Sequence, residues 1–438
     1  MSLNVEIDGT RLLAGRITPD QSGEKWALYP PAEAGSAEDR ELCFIWNPLS
    51  LPASDCNPAE FCIAIFTHRN WPESQVLSLK EGLKSIGLIF SIQALTSTSV
   101  VLQSKKIWND YGFIALSKLC TADTLCFVDS RKIVAGETYD ISEFYDEDSV
   151  VVVIRKSDIG SPMFSEEEFK DYLVARLPAF VREGLFLQLD EGSARVRQGR
   201  ELYGIEPDRQ YIHLRPFSKE FPESTKLFVI DLLSRIDPYE EHPAFRFFLY
   251  YQVFESLLQE MYEEYYAAFG RLAIHPKFSR ASSMKDLVDV LQDSLREKHR
   301  LEVLVNANRK SGDEFDPLRD GCEDILRALD DLKATVPSRV GSQEPASQSA
   351  SDTSVPESPR EGSLVPTASS PESGSPEGPV PQASHAKALY LARNLLFHSF
   401  SKVTRNSEEL ENLADRMAIV VYDLALDYKK PAISLPSL

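Results

Sequence analysis

The stretch Ala244–Phe269 constrains the chain more than any other. It is the longest continuous helical pattern, set off by Pro238 and Pro243 and free of Gly and Pro inside. Phe245, Leu249, Val253, Leu257, Met261 and Tyr265 recur at four-residue spacing, and Phe248, Leu258, Tyr262 and Tyr266 widen the stripe. Aromatic surface of that breadth has to be covered on more than one side. The pattern therefore calls for a helical bundle, with a second subunit against it.

Further helical patterns follow. Ser283 is positioned to cap a helix carrying Met284, Leu287, Val288, Leu291 and Leu295. Asp316-Pro317 reads as an N-cap with Pro at the first helical position, ahead of Leu318, Ile325, Leu326, Leu329 and Leu332. Composition then changes abruptly. Residues 336–384 are rich in Ser, Pro, Glu and Gly and poor in aliphatic side chains, so this tract has too little apolar surface to offset its conformational entropy and is expected to be disordered. It interrupts the bundle, because apolar helical patterns resume at 385–430, where Asn406 with Glu409 reads as the cap of a helix through Leu410, Leu413, Met417, Val420, Val421 and Leu424.

The part before the bundle, residues 1–236, reads as β-rich and mixed. A hairpin is expected over 4–17, turning at Asp8-Gly9. Strand patterns fall at 42–46, 61–67, 89–93, 99–103, 113–116, 125–129 and 150–155. The run Val150-Val151-Val152-Val153-Ile154 has no polar alternation, so both of its faces should be covered. Leu79, Leu83 and Ile86 suggest a helix over 77–86, and Ser165 with Glu168 forms a capping box ahead of a helix broken at Pro178. Residues 226–236 read as helix and 185–215 as short strands or turns. His68, beside Arg69 and Trp71, reads as a loop after a strand. The whole is an α+β chain: a recognition domain at 1–236, a bundle begun at 237–335, a disordered insert at 336–384, and the bundle completed at 385–430.

A formal net charge of −20 argues against broad, sequence-independent binding of nucleic acid. The acidity lies elsewhere than 386–430, where seven Lys and Arg face six Asp and Glu. No apolar run is long enough to span a bilayer and no signal-peptide pattern opens the chain, so a soluble cytoplasmic protein is expected. Cys43, Cys56, Cys62, Cys120, Cys126 and Cys322 form no C-x-x-C pair and stand at no zinc-ligand spacing from a His. They read as reduced, mostly buried thiols; a zinc site assembled from distant residues is the alternative. No Gly-rich phosphate loop, nucleophile elbow or paired metal ligands stand out, and no cofactor is expected.

Within the resumed bundle, Leu389–Phe400 is an apolar helical segment carrying one Arg, one Asn and one His: Arg393, Asn394 and His398. Asn394 and His398, at i and i+4, share a helix face. Arg393 and His398 stand roughly 140° apart and about 7.5 Å along the axis, so an ideal helix does not let them grip one small group. Read by itself, the stretch fits equally well an ordinary polar stripe on a bundle helix, with His398 satisfied by a backbone carbonyl. The Arg-Asn-x-x-x-His pattern, flanked by apolar helices, resembles the signature of the HEPN superfamily. Tyr250-Tyr251-Gln252-Val253-Phe254-Glu255 looks like that family's first long helix, in particular in its ApeA-like phage-defence branch.

The resemblance implies an all-helical bundle in which two copies pack around a two-fold axis, lining one cleft with the Arg and His of both. It implies an endoribonuclease that needs no metal and leaves a 2′,3′-cyclic phosphate. Arg393, Asn394 and His398 would be its catalytic residues and RNA its substrate, tRNA anticodon loops included. By analogy with abortive-infection systems, the protein would be a regulated toxin, with a phage-derived trigger acting at the β-rich domain. Glu255 either orients Arg393 or faces water between its aromatic neighbours, and the second is favoured. Two rivals stand beside the enzyme: a non-catalytic HEPN module that binds a nucleotide or a protein, and an adaptor whose bundle only oligomerises.

Overall fold

The computed structural model describes residues 16–19, 26–29, 43–46, 57–95, 106–119, 138–139, 145, 148–187, 209–309, 314–335, 384–403 and 407–433, less 69, 73–74, 161–163, 241 and 276–280. The fold is α+β, with strands confined to the N-terminal half and helices dominating the rest. Strands β1 (Arg16–Pro19), β2 (Trp26–Tyr29) and β3 (Cys43–Trp46) pair antiparallel in that order. A second sheet is built from β4 (Phe61–Thr67), β5 (Val76–Glu81) and β6 (Lys84–Ser91), followed in the chain by helix α1 (Lys106–Leu119). Strand β7 (Thr138–Tyr139) joins β3 in parallel. Strand β8 (Ser149–Arg155) then runs between β6 and β4, antiparallel to both.

The apolar run in β8 behaves as its composition requires. Val150 to Ile154 are fully buried, and the alternating side chains enter two different clusters. Val151 and Val153 pack with Phe61, Phe90 and the α1 residues Phe113, Ile114, Leu116 and Leu119. Val150, Val152 and Ile154 face Phe66, Leu77, Leu79 and the larger core that continues into the helices. Gly87 of β6 lies against β8 so closely that a Cβ there would stand 2.2 Å from the Val153 carbonyl oxygen.

Two expectations fail in this region. Residues 77–86 are a β-hairpin, not a helix: Gly82 takes φ +60° and turns the chain between β5 and β6. Leu77 and Leu79 are buried while Leu83 is fully exposed at the tip. Phe113–Leu116 is not a strand but the buried face of α1. An apolar run of four residues satisfies either periodicity. The expected strand at 89–93 is in fact the end of β6 and a 3₁₀ turn (Ile92–Leu95). Most of the expected hairpin at 4–17, the strands expected at 99–103 and 125–129, and all of the tract 336–384 but its last residue lie outside the described residues.

After the one-turn helix α2 (Lys156–Ile159), α3 (Glu166–Val174) opens on the expected capping box: Ser165 Oγ accepts from the Glu168 amide at 3.1 Å, and the Ser165 amide donates to Glu168 Oε2 at 2.7 Å. The break falls at 175–176, so Pro178 sits in the first turn of a separate helix, α4 (Leu177–Arg182). Strands β9 (Phe186–Leu187) and β10 (Tyr211–His213) complete the second sheet, whose order is β10-β5-β6-β8-β4-β9. Helix α5 (Glu223–Asp231) continues into a π-helical turn, Leu232–Ile236, closed by the Asp237 amide on the Leu232 carbonyl.

Helix α6 (Pro243–Ala273) is longer than the pattern at 244–269 and buries a different stripe at its start. Phe247, Tyr250, Tyr251 and Phe254 are inside, whereas Phe245 is 52% exposed. A strict four-residue repeat drifts about 40° per step on a helix of 3.6 residues per turn, so Phe245 and Tyr265 cannot share a face. Helices α7 (Ala281–Leu295) and α8 (Glu297–Asn308) fold back beside α6. Helix α7 starts two residues before Ser283, which is therefore not its cap. Helix α9 (Phe315–Thr335) starts one residue before Asp316, whose carboxylate instead accepts from Arg309 at 3.1 Å and lies 2.6 Å from His385 Nε2. That contact ties α9 to the first residue of α10 (His385–Val403).

Helix α11 (Ser407–Asp427) begins directly after Asn406, which is not itself described, and packs on α6 and α9. The Tyr250 and Tyr422 hydroxyls meet at 2.8 Å. Arg246, buried on α6, donates from Nε to Asp237 at 3.1 Å and from Nη1 to Asp415 of α11 at 2.8 Å. Helix α11 also reaches the elements beside the sheet: Arg182 pairs with Asp423 at 2.9 Å, Arg215 with Asp427 at 2.9 Å, and the Ser218 amide donates to the Ala425 carbonyl at 2.8 Å. One cluster of buried side chains thus runs from the sheet through the helices, across the boundary expected at 236/237. Among the described residues no helix is long and apolar enough to cross a membrane.

Candidate active site

Helix α10 is seated by its small and aliphatic side. Ala386, Ala388, Leu389, Ala392 and Leu396 are buried, which leaves Arg393 and Asn394 partly exposed beside α6. Arg393 reaches across to α6. Its Nη2 donates to Glu255 Oε1 at 2.8 Å, and its Nη1 donates to Asn394 Oδ1 at 3.0 Å. The guanidinium carbon stands 5.6 Å from the Tyr251 ring centre and 5.7 Å from that of Phe397, within cation–π range of both. Tyr251 and Glu255, one helical turn apart on α6, thus present a ring and a carboxylate to the same cation.

Tyr251 is itself fixed. It is 1% exposed, and its hydroxyl donates to Glu297 Oε1 at 2.8 Å. Glu297 opens α8, where a carboxylate also suits the helix N-terminus. Burial, then the charge of Glu297 and its hydrogen bond, push the phenol far above its ordinary range, so Tyr251 remains a neutral donor. Burial pulls the Arg393 guanidinium down, but the hydrogen bond it donates to Glu255 and the surrounding Glu297, Tyr251 and Glu255 outweigh it, and the net shift is upward. Arg393 is a permanent cation.

His398 lies on the same helix, which continues without interruption to Val403; its side chain is outside the described residues. The structure therefore brings Arg393 and Asn394 together by a direct hydrogen bond and places His398 five helical residues further on. The favoured reading of Glu255 as a water-facing residue is half right. Its side chain is 44% exposed, and it is also the counter-ion of Arg393. In the sequence Tyr251 stands out only as part of the stretch Tyr250–Glu255, with no role at the site, and Glu297 does not stand out. The only available signal was that Tyr251 and Glu255 share a face, and the sequence does not say which helix lies opposite.

Other chemistry-bearing groups lie apart from this cluster. Among the described residues no three His, Cys, Asp or Glu side chains converge in a way that could hold a metal ion. Cys62 and Cys322 are buried, with thiols raised by burial first of all. His68 is buried, its ring edge-on to Trp71, and its Nδ1 accepts from the Asn70 amide at 3.4 Å. A cavity of about 320 Å³ between α5, α6 and the segment after α11 is lined by Glu220, Glu223, Glu260, Glu264 and Lys430, a charge balance that disfavours a phosphate. No family model matches the chain, and no curated protein or solved structure matches it.

Proposed function

We propose that the chain is a HEPN-type endoribonuclease that works without a metal, with Arg393, Asn394 and His398 as its catalytic residues. The observation that carries this reading is the placement of Arg393: an always-charged guanidinium held at a partly exposed position by Glu255 and Asn394, on the helix that also bears His398. In the proposed reaction the RNA 2′-oxygen attacks the adjacent phosphorus. The P–O5′ bond breaks, leaving a 2′,3′-cyclic phosphate and a 5′-hydroxyl. His398 moves a proton at one of the two oxygens, a task suited to a group that titrates near neutrality. Arg393 stabilises the charge gathered on the phosphorane. Asn394 fixes the guanidinium. Single-stranded or looped RNA, tRNA among it, is the substrate class whose sugars and bases such a site can reach.

One imidazole does not serve both oxygens at once. In a two-fold dimer the His398 of one copy takes the 2′-hydroxyl proton and the His398 of the other gives a proton to the departing O5′. Phe245 and Phe397, 52% and 65% exposed, lie on α6 and α10, the helices that would meet. Light scattering at micromolar concentration is expected to give twice the chain mass. A fully active monomer would rule the shared cleft out. In this reading the β-rich region is the sensor of a regulated, cytoplasmic anti-phage toxin.

A non-catalytic HEPN module is the second reading, and the ion pair itself favours it, because a guanidinium already matched by a carboxylate also suits a purely structural role. Incubation of the purified protein with total RNA and with tRNA in EDTA separates the two. The nuclease reading expects new 2′,3′-cyclic phosphate ends and an intact DNA oligonucleotide of the same sequence.

A further inference from the structure

The contacts of Arg393 differ in how firmly each is held. The Tyr251 ring is buried and anchored by Glu297, and Asn394 is the neighbouring residue on the same helix. Glu255 is the more exposed of the two hydrogen-bond partners of Arg393, with its side chain 44% exposed, and its Oε1 accepts from Nη2 of the guanidinium. A phosphate needs two parallel N–H donors to be gripped bidentately by an Arg. One Nη2 N–H is given to Glu255 and one Nη1 N–H to Asn394, so two of the five guanidinium donors are engaged, and the partner of one of them is already an anion.

From this we infer that Glu255 is an internal competitor for the phosphate: it occupies the anion position on Arg393, so that the site is closed at rest and opens when a nucleic-acid phosphate displaces the carboxylate. The inference rests on reading Arg393 as the phosphate-binding group. Exposed ion pairs are weak, so a polynucleotide that makes several contacts at once displaces one carboxylate, whereas a single small anion gains little by doing so. The barrier is also selective by charge. An approaching phosphate is repelled by Glu255 until the carboxylate swings away, and Glu297 adds to that repulsion from behind Tyr251. Because Glu255 sits on α6, any shift of α6 against α10 changes the hold on Arg393 without moving Asn394 relative to it.

The test is binding of a fluorescein-labelled single-stranded DNA oligonucleotide to the full chain, read by fluorescence anisotropy over a range of salt. DNA lacks the 2′-hydroxyl, so binding is seen without cleavage. Glu255→Gln keeps an oxygen for the Arg393 N–H and removes the charge. It is expected to bind on the order of fivefold more tightly than wild type, with a log–log salt slope steeper by up to about 0.7. Glu255→Ser should agree. Glu263→Gln, which removes the same charge elsewhere on α6, should show no gain. In an Arg393→Ala background Glu255→Gln should lose its advantage.

Unchanged or weaker binding by both Glu255 variants overturns the inference, as does an equal gain without Arg393. The nuclease reading is judged separately, by RNA cleavage. Cleavage by wild type with no gain on Glu255→Gln sinks the competitor and keeps the nuclease. A gain that depends on Arg393, without cleavage under any condition, keeps the competitor and sinks the nuclease. Oligonucleotide binding that is the same in wild type and Arg393→Ala overturns the inference outright.

Discussion

His398→Ala is expected to lower the proposed RNA cleavage by about 10²–10⁴-fold, the range that a positioned proton-transfer group contributes. Arg393→Ala is expected to bring a loss of about 10²–10³-fold through the unshielded phosphorane, the scale seen when a preorganised donor to a developing anion is removed. Arg393→Lys recovers part of this, because an ammonium keeps the charge and lacks the planar fork. Folding should survive all three changes. The Arg393 side chain is 28% exposed and its Glu255 partner 44%, and ion pairs at that exposure contribute at most about 1 kcal/mol. With the resting site closed by Glu255, the comparison is made in cells under activating conditions as well as in the tube. Wild type should arrest growth, and the alanine variants at matched expression should not. Equal toxicity of all three would remove Arg393 and His398 from the active site and leave the non-catalytic reading.

The largest loss of stability is expected at Arg246. Its guanidinium is 2% exposed and bonded to Asp237 at the end of the π-helical turn and to Asp415 in the first half of α11. Arg246→Ala leaves two buried carboxylates without that cation, and breaking a buried pair in this way costs about 3–5 kcal/mol. The melting transition should fall by on the order of 10 °C, at roughly 2–4 °C per kcal/mol for a unit of 150–250 residues. Asp415→Asn retains a hydrogen-bond acceptor and should cost less. A melting temperature of Arg246→Ala within 2 °C of wild type would show that the three residues do not hold α5, α6 and α11 together. Oligonucleotide binding by whatever folded protein remains should be unchanged, since Arg246 lies on the buried side of α6, away from Arg393.

The sequence disclosed elements where a local rule had no competitor. Val150–Ile154 has no polar residue to place outward, so a fully covered strand was the one outcome its composition allowed. Ser165 and Glu168 form a reciprocal cap that needs nothing beyond its own four residues. Errors arose where two periods fit the same residues. Leu79, Leu83 and Ile86 satisfy a helix, yet Gly82 makes a tight turn cheap, and once the chain turns there Leu83 is left in solvent. On α6 the period was right in kind and wrong in phase, because a four-residue repeat is longer than a helical turn. The candidate site was half legible. Arg393, Asn394 and His398 stand together in the sequence, and their order alone draws attention. Tyr251, Glu255 and Glu297 come from two other helices, and which of their faces meets α10 is decided by packing that no local pattern encodes.

Helix α11 follows in the sequence every element it packs on: the α4 residue Arg182, the loop residues Arg215 and Ser218, and α6 through Arg246 and Tyr250. Synthesis proceeds from the N-terminus, so a ribosome-bound chain holds the sheet, α6 and the acidic partner Glu255 long before α10 and α11 emerge. Until then the faces of α6 and α9 that α11 packs on have no cover from it, and Arg393 and His398 are not yet made. A product terminated before Arg393 therefore carries the β-rich region and an unfinished bundle but none of the three motif residues. The order in which the ribosome releases the segments places the proposed toxic chemistry after the sheet and after α6 to α9, with only α11 still to follow.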